Sequence, residues 1–168
     1  MKNRFEINGN VTVIYINRHD GTNVKAFIDT DDLDLVSQYP NTYVLINGYV
    51  SMFLPLVNGH RPIVSLHRMV IGASGETIVD HINFNRLDNR KSNLRLVSRS
   101  GNAQNRQGAT MKSQSGIRNV YLDQKRLSWR VMLGIAGKKR YFGRFTDINE
   151  AAKMATVARE KYMPYATV

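Results

Sequence analysis

The sequence predicts an α+β chain assembled from small units, and three observations carry that expectation. Segments rich in β-branched and aromatic residues recur between turn signals, a strand, loop, strand and helix pattern occupies the middle, and the last segment repeats alanine at helical spacing. A chain of 168 residues holds one ordinary domain or two to three small ones, so modest cores are expected.

Residues 1–62 form a β-rich region. Its strands are Val11–Ile16, Val24–Ile28 and Tyr43–Ile46, punctuated by Asp20-Gly21, the cluster from Asp29 to Asp34, Asn47-Gly48 and Asn58-Gly59. No catalytic constellation stands out there, and its expected role is a small sheet packed under the next domain. From 63 to 107 the pattern changes. Ile63–Ile71 has strand character, a turn covers Gly72 to Gly75, Thr77–Asp80 is a short strand, and Leu94–Val97 is its partner after a polar loop. Ser98 is placed to cap a helix reaching about Arg106, and residues 108–115 lack periodicity and are expected to be a linker. Residues 116–168 predict a three-stranded antiparallel sheet, from Ile117–Leu122, Ser128–Leu133 and Lys139–Phe145, packed on one helix. That helix starts at Thr146 or Asp147 and turns Ala151, Ala152, Ala155 and Ala158 inward, which lets it lie close to the sheet.

Charge is segregated along the chain. The net +11 divides into −2 over residues 1–85 (6 basic, 8 acidic), +13 over 86–144 (15 basic, 2 acidic) and 0 over 145–168 (3 and 3). A basic stretch of that density suits a polyanion. An anionic membrane is the weaker partner, because no apolar run approaches the roughly 20 residues of a span, no signal peptide opens the chain, and the basic residues interleave with strand patterns. Nucleic acid is therefore the expected partner. With no cysteine, neither disulfides nor thiolate zinc sites are available, so the site chemistry must use His, Asp, Asn and water; a reducing cytoplasm fits this composition.

Phosphodiester hydrolysis requires an activated water, neutralisation of the phosphate and help for the leaving oxygen, which one base and one metal can supply. Asp80, His81, Asn93 and Asn102 offer a hard oxygen ligand, an imidazole beside it, an amide to orient the imidazole, and a second oxygen ligand on a helix. Asp80 and Asn93 alone are commonly turn or cap residues and a lone His81 is commonly structural; the joint spacing points to catalysis. Oxygen ligands favour Mg²⁺ or Mn²⁺ over zinc. Neighbours on a regular strand face opposite ways, so Asp80 and His81 can share a site only where the strand ends or twists.

The segments Val79–Ile82, Leu87–Val97 and Asn102–Arg106 resemble the HNH homing endonucleases of phage type, which have a ββα-metal core. The resemblance implies that Asp80 and Asn102 bind one divalent cation, that His81 is the general base and that Asn93 orients it. Nuclease-colicin relatives carry two helix histidines where this chain has Asn102 and Arg106; Arg106 cannot ligate a cation and is expected to hold the scissile phosphate. His67 matches a histidine often found before the motif and is expected to pack behind the site. His19 and His60, near turns, receive no role.

In Ser128–Leu133, alternation sends Trp129, Val131 and Leu133 to one face and Arg130 and Met132 to the other, and Lys139 and Tyr141 oppose Phe142 on the next strand. One face is thus apolar, for the helix, and the other basic and partly aromatic; such a sheet can enter the major groove. Residues 116–166 resemble the ethylene-response-factor (APETALA) DNA-binding domain through Gly116–Tyr121, Trp129-Arg130, Gly137–Gly143 and Asn149–Ala152, with Asn119 where a glycine is common. That resemblance implies DNA contacts by Arg118, Arg130, Lys139 and Tyr141, with Arg126 and Arg140 nearby, while Trp129 belongs to the core.

The expected activity is Mg²⁺- or Mn²⁺-dependent hydrolysis of double-stranded DNA by a monomer, with no protein partner evident, inside the cytoplasm of a phage-infected bacterial host. One metal site per chain implies nicking. A DNA-binding regulator with an inactive nuclease site is the alternative; an RNA nuclease is disfavoured because the A-form major groove is too deep and narrow for such a sheet.

Overall fold

The computed structural model describes residues 1–166, and backbone contacts divide the chain into two compact units, Met1–Ser98 and Arg99–Val168. It is a mixed α+β architecture of several small antiparallel sheets and few helices.

The first unit opens with the antiparallel meander β1 (Phe5–Asn8), β2 (Val11–Asn17) and β3 (Asn23–Asp29). Period-two alternation buries Ile14 and Ile16 on β2 and Ala26 and Ile28 on β3, with Ile14 opposite Ala26 in the register. A 3-10 turn at Thr30–Asp32 leads into α1 (Leu33–Ser37). The second meander is β4 (Tyr43–Ile46), β5 (Tyr49–Phe53) and β6 (Ile63–Ser65). Asn47 and Gly48, with φ of 53° and 80°, supply the two left-handed residues that a two-residue hairpin turn requires. Buried Asn3 joins the two sheets, since its Nδ2 donates to the carbonyls of Tyr15 and Tyr43 and its Oδ1 accepts from the Tyr43 amide.

The strand expected over Ile63–Ile71 is strand only to Ser65; α2 (Leu66–Val70) follows. Leu66, His67 and Val70 are all buried; one helix face meets that i, i+1, i+4 spacing, whereas a strand would send the neighbours Leu66 and His67 to opposite faces. The hairpin β7 (Ile78–His81) and β8 (Leu94–Val97) completes the unit. A single core takes Ile14 and Ile28 from the first sheet, Tyr43, Val50 and Met52 from the second, Leu66 and Val70 from α2, and Leu94 from β8. Residues 1–62 and the β7–β8 hairpin therefore share one interior.

The second unit contains α3 (Arg99–Gln104), the sheet β9 (Val120–Asp123), β10 (Ser128–Ile135) and β11 (Lys138–Phe145) in the order β11-β10-β9, and α4 (Ile148–Tyr162). α3 stops two residues short of Arg106. β9 begins three residues later than expected because Asn119 adopts φ 69°, a left-handed conformation that Asn tolerates, and its Nδ2 donates to the Met132 carbonyl. The Asp147 carboxylate accepts from the Asn149 amide and caps α4. Ala151, Ala155 and Ala158 are buried against Val120, Val131 and Leu133, and Trp129 packs at the edge of the same cluster, as expected. At the end of the segment expected to be a linker, Ser115 Oγ donates to Val120 O and accepts from Ile117 N, and Arg118, beyond that segment, reaches back to the carbonyls of Gln104 and Arg106.

Candidate active site and nucleic-acid interface

β7 ends at His81, one residue beyond the expected end of the strand. Asp80 lies opposite Arg95 and His81 opposite Leu94 in the hairpin register. Asp80 and His81 are 7% and 6% exposed, so both polar groups sit in a largely desolvated position. A buried carboxylate needs compensation, and Arg95 supplies it: Nε donates to Asp80 Oδ2 at 2.9 Å and a terminal nitrogen lies at 2.8 Å from the same oxygen.

The His81 ring packs among aromatics, 5.1 Å centroid to centroid from His67 and 6.0 Å from Tyr49. Burial pushes its pKa below the ordinary histidine range, against opposing contributions from Asn89, Asp80 and Asp88, and Arg86 adds to the downward push. Asn89 Oδ1 lies 3.4 Å from His81 Nε2, while Asn89 Nδ2 donates to the Leu87 carbonyl, which turns the amide oxygen toward the ring. An amide oxygen only accepts, so this contact assigns the neutral ring's hydrogen to Nε2.

Asn93 does not make the expected bond to His81. Its Oδ1 accepts from the Asn83 amide at 2.9 Å and its Nδ2 donates to the Asp88 carbonyl at 2.8 Å, while its own carbonyl accepts from Ile82. The reason is the loop between β7 and β8, which leaves the strand immediately after His81 and exposes backbone donors and acceptors that only a nearby amide can satisfy. Asn93 thus clamps the residues following His81, and Asn89 takes the place beside the ring. Asp88 forms a two-pronged pair with Arg90, both distances 2.7 Å, which holds its carboxyl below the usual range. β3 braces the same loop: Phe27 N donates to Leu87 O and Asn89 N to Phe27 O, and Asp29 accepts from the Lys91 amide. β3 therefore helps to fix the loop that carries Asn89. Sequence reasoning missed Asn89, although it stands inside the Leu87–Val97 motif, and it missed Tyr49, for which the sequence holds no signal.

His67, expected to pack behind the site, does stand there, edge-on to His81 and 5.0 Å from the Tyr49 ring. Its Nδ1 is buried without a hydrogen-bond partner, and burial lowers its pKa to about 4. A histidine whose folded pKa lies below its ordinary 6.5 binds a proton more readily in the unfolded chain. Its stabilising contribution is complete above about pH 6.5 and is lost as pH falls toward 4. Urea unfolding at pH 7.5 and 4.5 is expected to show His67→Phe losing about 2–3 kcal/mol less than the parent protein over that interval. Equal losses would show that His67 does not titrate as its surroundings imply.

The remaining expected site residues belong to the second unit. Asn102 lies on α3 and is exposed; Arg106 lies just beyond it, lining a cleft of about 350 Å³ with Lys112, Asn119 and Tyr121. Arg118, expected to face DNA, donates both terminal nitrogens to the carbonyls of Arg106 and Gln104, so its head group closes the unit's own chain. Arg130 and Arg144 face one another across β10 and β11, and both approach Asp123, at 3.7 and 3.3 Å. A bulge at Phe142 shifts the register so that Met132 pairs with Tyr141 but Val131 with Gly143. Strict alternation puts Arg144 on the helix side; the bulge returns it to the open face with Arg130, Lys139 and exposed Tyr121 and Tyr141. Arg140 instead pairs with core residue Leu133 and lies 6.0 Å from the Tyr162 ring of α4, and Arg126 is exposed in the β9–β10 turn.

Among the described residues, no cluster of three or more His, Cys, Asp or Glu side chains could hold a metal, and no helix is long and apolar enough to cross a membrane. The oxygen donors still suit Mg²⁺ or Mn²⁺, which take one or two protein oxygens and fill the rest with water and phosphate oxygens.

Residues 67–104 match the family model described as HNH endonuclease. An uncharacterized HNH endonuclease of Acanthamoeba polyphaga mimivirus is 35% identical over 102 residues, 60% of this chain and 52% of that protein, so the chain spans about half the length of that relative. No solved structure matches.

Proposed function

We propose, from the HNH endonuclease match over residues 67–104, that the chain is a metal-dependent DNA endonuclease of the phage homing type. The carrying observation is that this match covers a strand ending in buried Asp80 and His81, held by the loop from Asn83 to Asn93. Asp80 and Asn102 are each assigned as an oxygen ligand for Mg²⁺ or Mn²⁺, which would supply neutralisation of phosphate charge and stabilisation of the leaving 3′-oxygen. His81, its Nε2 facing Asn89, is assigned to take the proton of the attacking water. Desolvation keeps the ring neutral and ready to accept that proton near pH 7. Asn93 acts by holding Ile82 and Asn83. Arg106 is assigned to the scissile phosphate. The open face of the β9–β11 sheet, with Arg130, Lys139, Tyr141 and Arg144, is the duplex-binding surface, joined by Arg126. The enzyme acts as a monomer on double-stranded DNA in the host cytoplasm.

A second reading, a DNA-binding regulator with an inactive nuclease site, is favoured by the Asp80–Arg95 pair, which occupies an oxygen that a cation would use. Incubation of supercoiled DNA with Mg²⁺, Mn²⁺ or EDTA separates the two. Nicks or breaks that require the cation support the enzyme; tight binding with a salt slope of about −0.9 per neutralised phosphate and no cleavage in any metal supports the regulator.

A further inference from the structure

Four cations lie between Arg86 and Arg95, and three are ion-paired: Arg90 with Asp88, Lys91 with Asp32 and Arg95 with Asp80. Arg86 differs. It is exposed, has no ion pair among the described residues, and its guanidinium carbon sits 4.5 Å from the centroid of the Tyr49 ring. One terminal nitrogen donates to the Asn47 carbonyl at 3.2 Å, and the β4–β5 turn is built to admit it: a Cβ on Gly48 would stand 3.2 Å from that nitrogen. The Tyr49 ring that supports Arg86 also packs against His67 and His81, and the Arg86 charge acts on the His81 ring.

An arginine lying on an aromatic ring, tethered by one nitrogen and lacking a carboxylate, is a preorganised phosphate ligand, because its planar fork matches two phosphate oxygens. The favourable Coulomb energy of an uncompensated guanidinium is available to a substrate anion, and the tether removes part of the ordering cost on binding. Resting on the nuclease reading, we propose that Arg86 binds a DNA phosphate at the His81 site and holds the backbone where water activated by His81 can attack. Tyr49 and the Asn47-Gly48 turn are its platform, so the N-terminal region supplies part of the substrate-binding surface.

The test uses the full-length chain with Arg86→Ala, Arg86→Lys and a charge-matched control, Arg18→Ala, in the exposed turn between β2 and β3. Thermal melts establish that each is folded. At saturating DNA with Mg²⁺ or Mn²⁺, Arg86→Ala is expected to slow single-turnover cleavage roughly 100-fold, the scale of removing one preorganised donor to phosphate charge, with Arg86→Lys between it and the parent. Arg18→Ala keeps the parent rate. A parent-like rate for Arg86→Ala overturns the proposal. Duplex binding in EDTA gives an independent arm that needs no cleavage: Arg86→Ala should make the salt slope shallower by about one phosphate, and Arg18→Ala should not. If the parent cuts nothing in any metal, the nuclease reading fails. The slope then decides alone, since a shift at Arg86 retains the phosphate contact and an unchanged slope removes it.

Discussion

His81→Ala is expected to reduce single-turnover cleavage by about 1000-fold while DNA affinity changes by less than about two-fold, within the span of one general base. The separation of the two readouts follows from the position of the residue. His81 is 6% exposed, so its ring offers duplex DNA little surface and its removal costs little binding. The ring nevertheless makes the contacts that orient it, at 5.1 Å to His67 and with Nε2 facing Asn89. Truncation leaves a hole bounded by those groups, and added imidazole is expected to occupy it and restore part of the rate. A merely structural histidine would not respond in this way, because refilling a cavity restores stability but supplies no acid-base group at the reacting water. Parent-like cleavage by His81→Ala would remove the base assignment, and rescue by imidazole but not by benzene would secure it. Asn89→Leu, which withdraws the oxygen facing Nε2, is expected to shift the pH profile of the rate instead of abolishing it.

Local patterns in the sequence carry much of the fold, and the exceptions share a cause. β2, β3, β4 and β8 follow from short runs of β-branched, aromatic and other apolar residues bounded by turn signals, and α4 follows from alanines that recur at helical spacing behind a capping Asp147. α2 is hidden because Leu66–Val70 spans only five residues, too few for periodicity to separate helix from strand, and the core that Leu66 and Val70 enter decides between them. Arg144 was hidden for a related reason: a bulge resets side-chain alternation, and Phe142 and Gly143 announce it only through the partner strand. At the site, Asp80 and His81 are legible as a motif, but the group beside His81 is not. Asn89 and Asn93 are chemically identical, and the choice between them is made by which backbone amides the loop leaves unsatisfied. Tyr49 and Arg86 reach the site from β5 and the loop, a juxtaposition set by tertiary packing rather than by spacing.

Ile14→Ala, in the middle of β2, is expected to cost about 3 kcal/mol and to weaken the β7–β8 hairpin as much as its own sheet. Ile14 is fully buried in the cluster that also takes Leu66, Val70 and Leu94, so the lost contacts and the cavity belong to one interior that includes β8. The backbone bonds between Phe27 and the residues Leu87 and Asn89 extend that dependence to the loop beside His81. Hydrogen exchange resolves the claim amide by amide. If β2, β3 and the β7–β8 hairpin open together, protection in all of them falls by roughly 100-fold, the equilibrium counterpart of about 3 kcal/mol. Cleavage should then decline at temperatures where the parent is still folded, with the rate at low temperature little changed because no group at the site has been altered. Loss of protection confined to β1–β3 would instead make that sheet a separate cooperative unit, and the placement of Asn89 beside His81 would have to be held by the loop's own Asp88–Arg90 and Asn93 contacts.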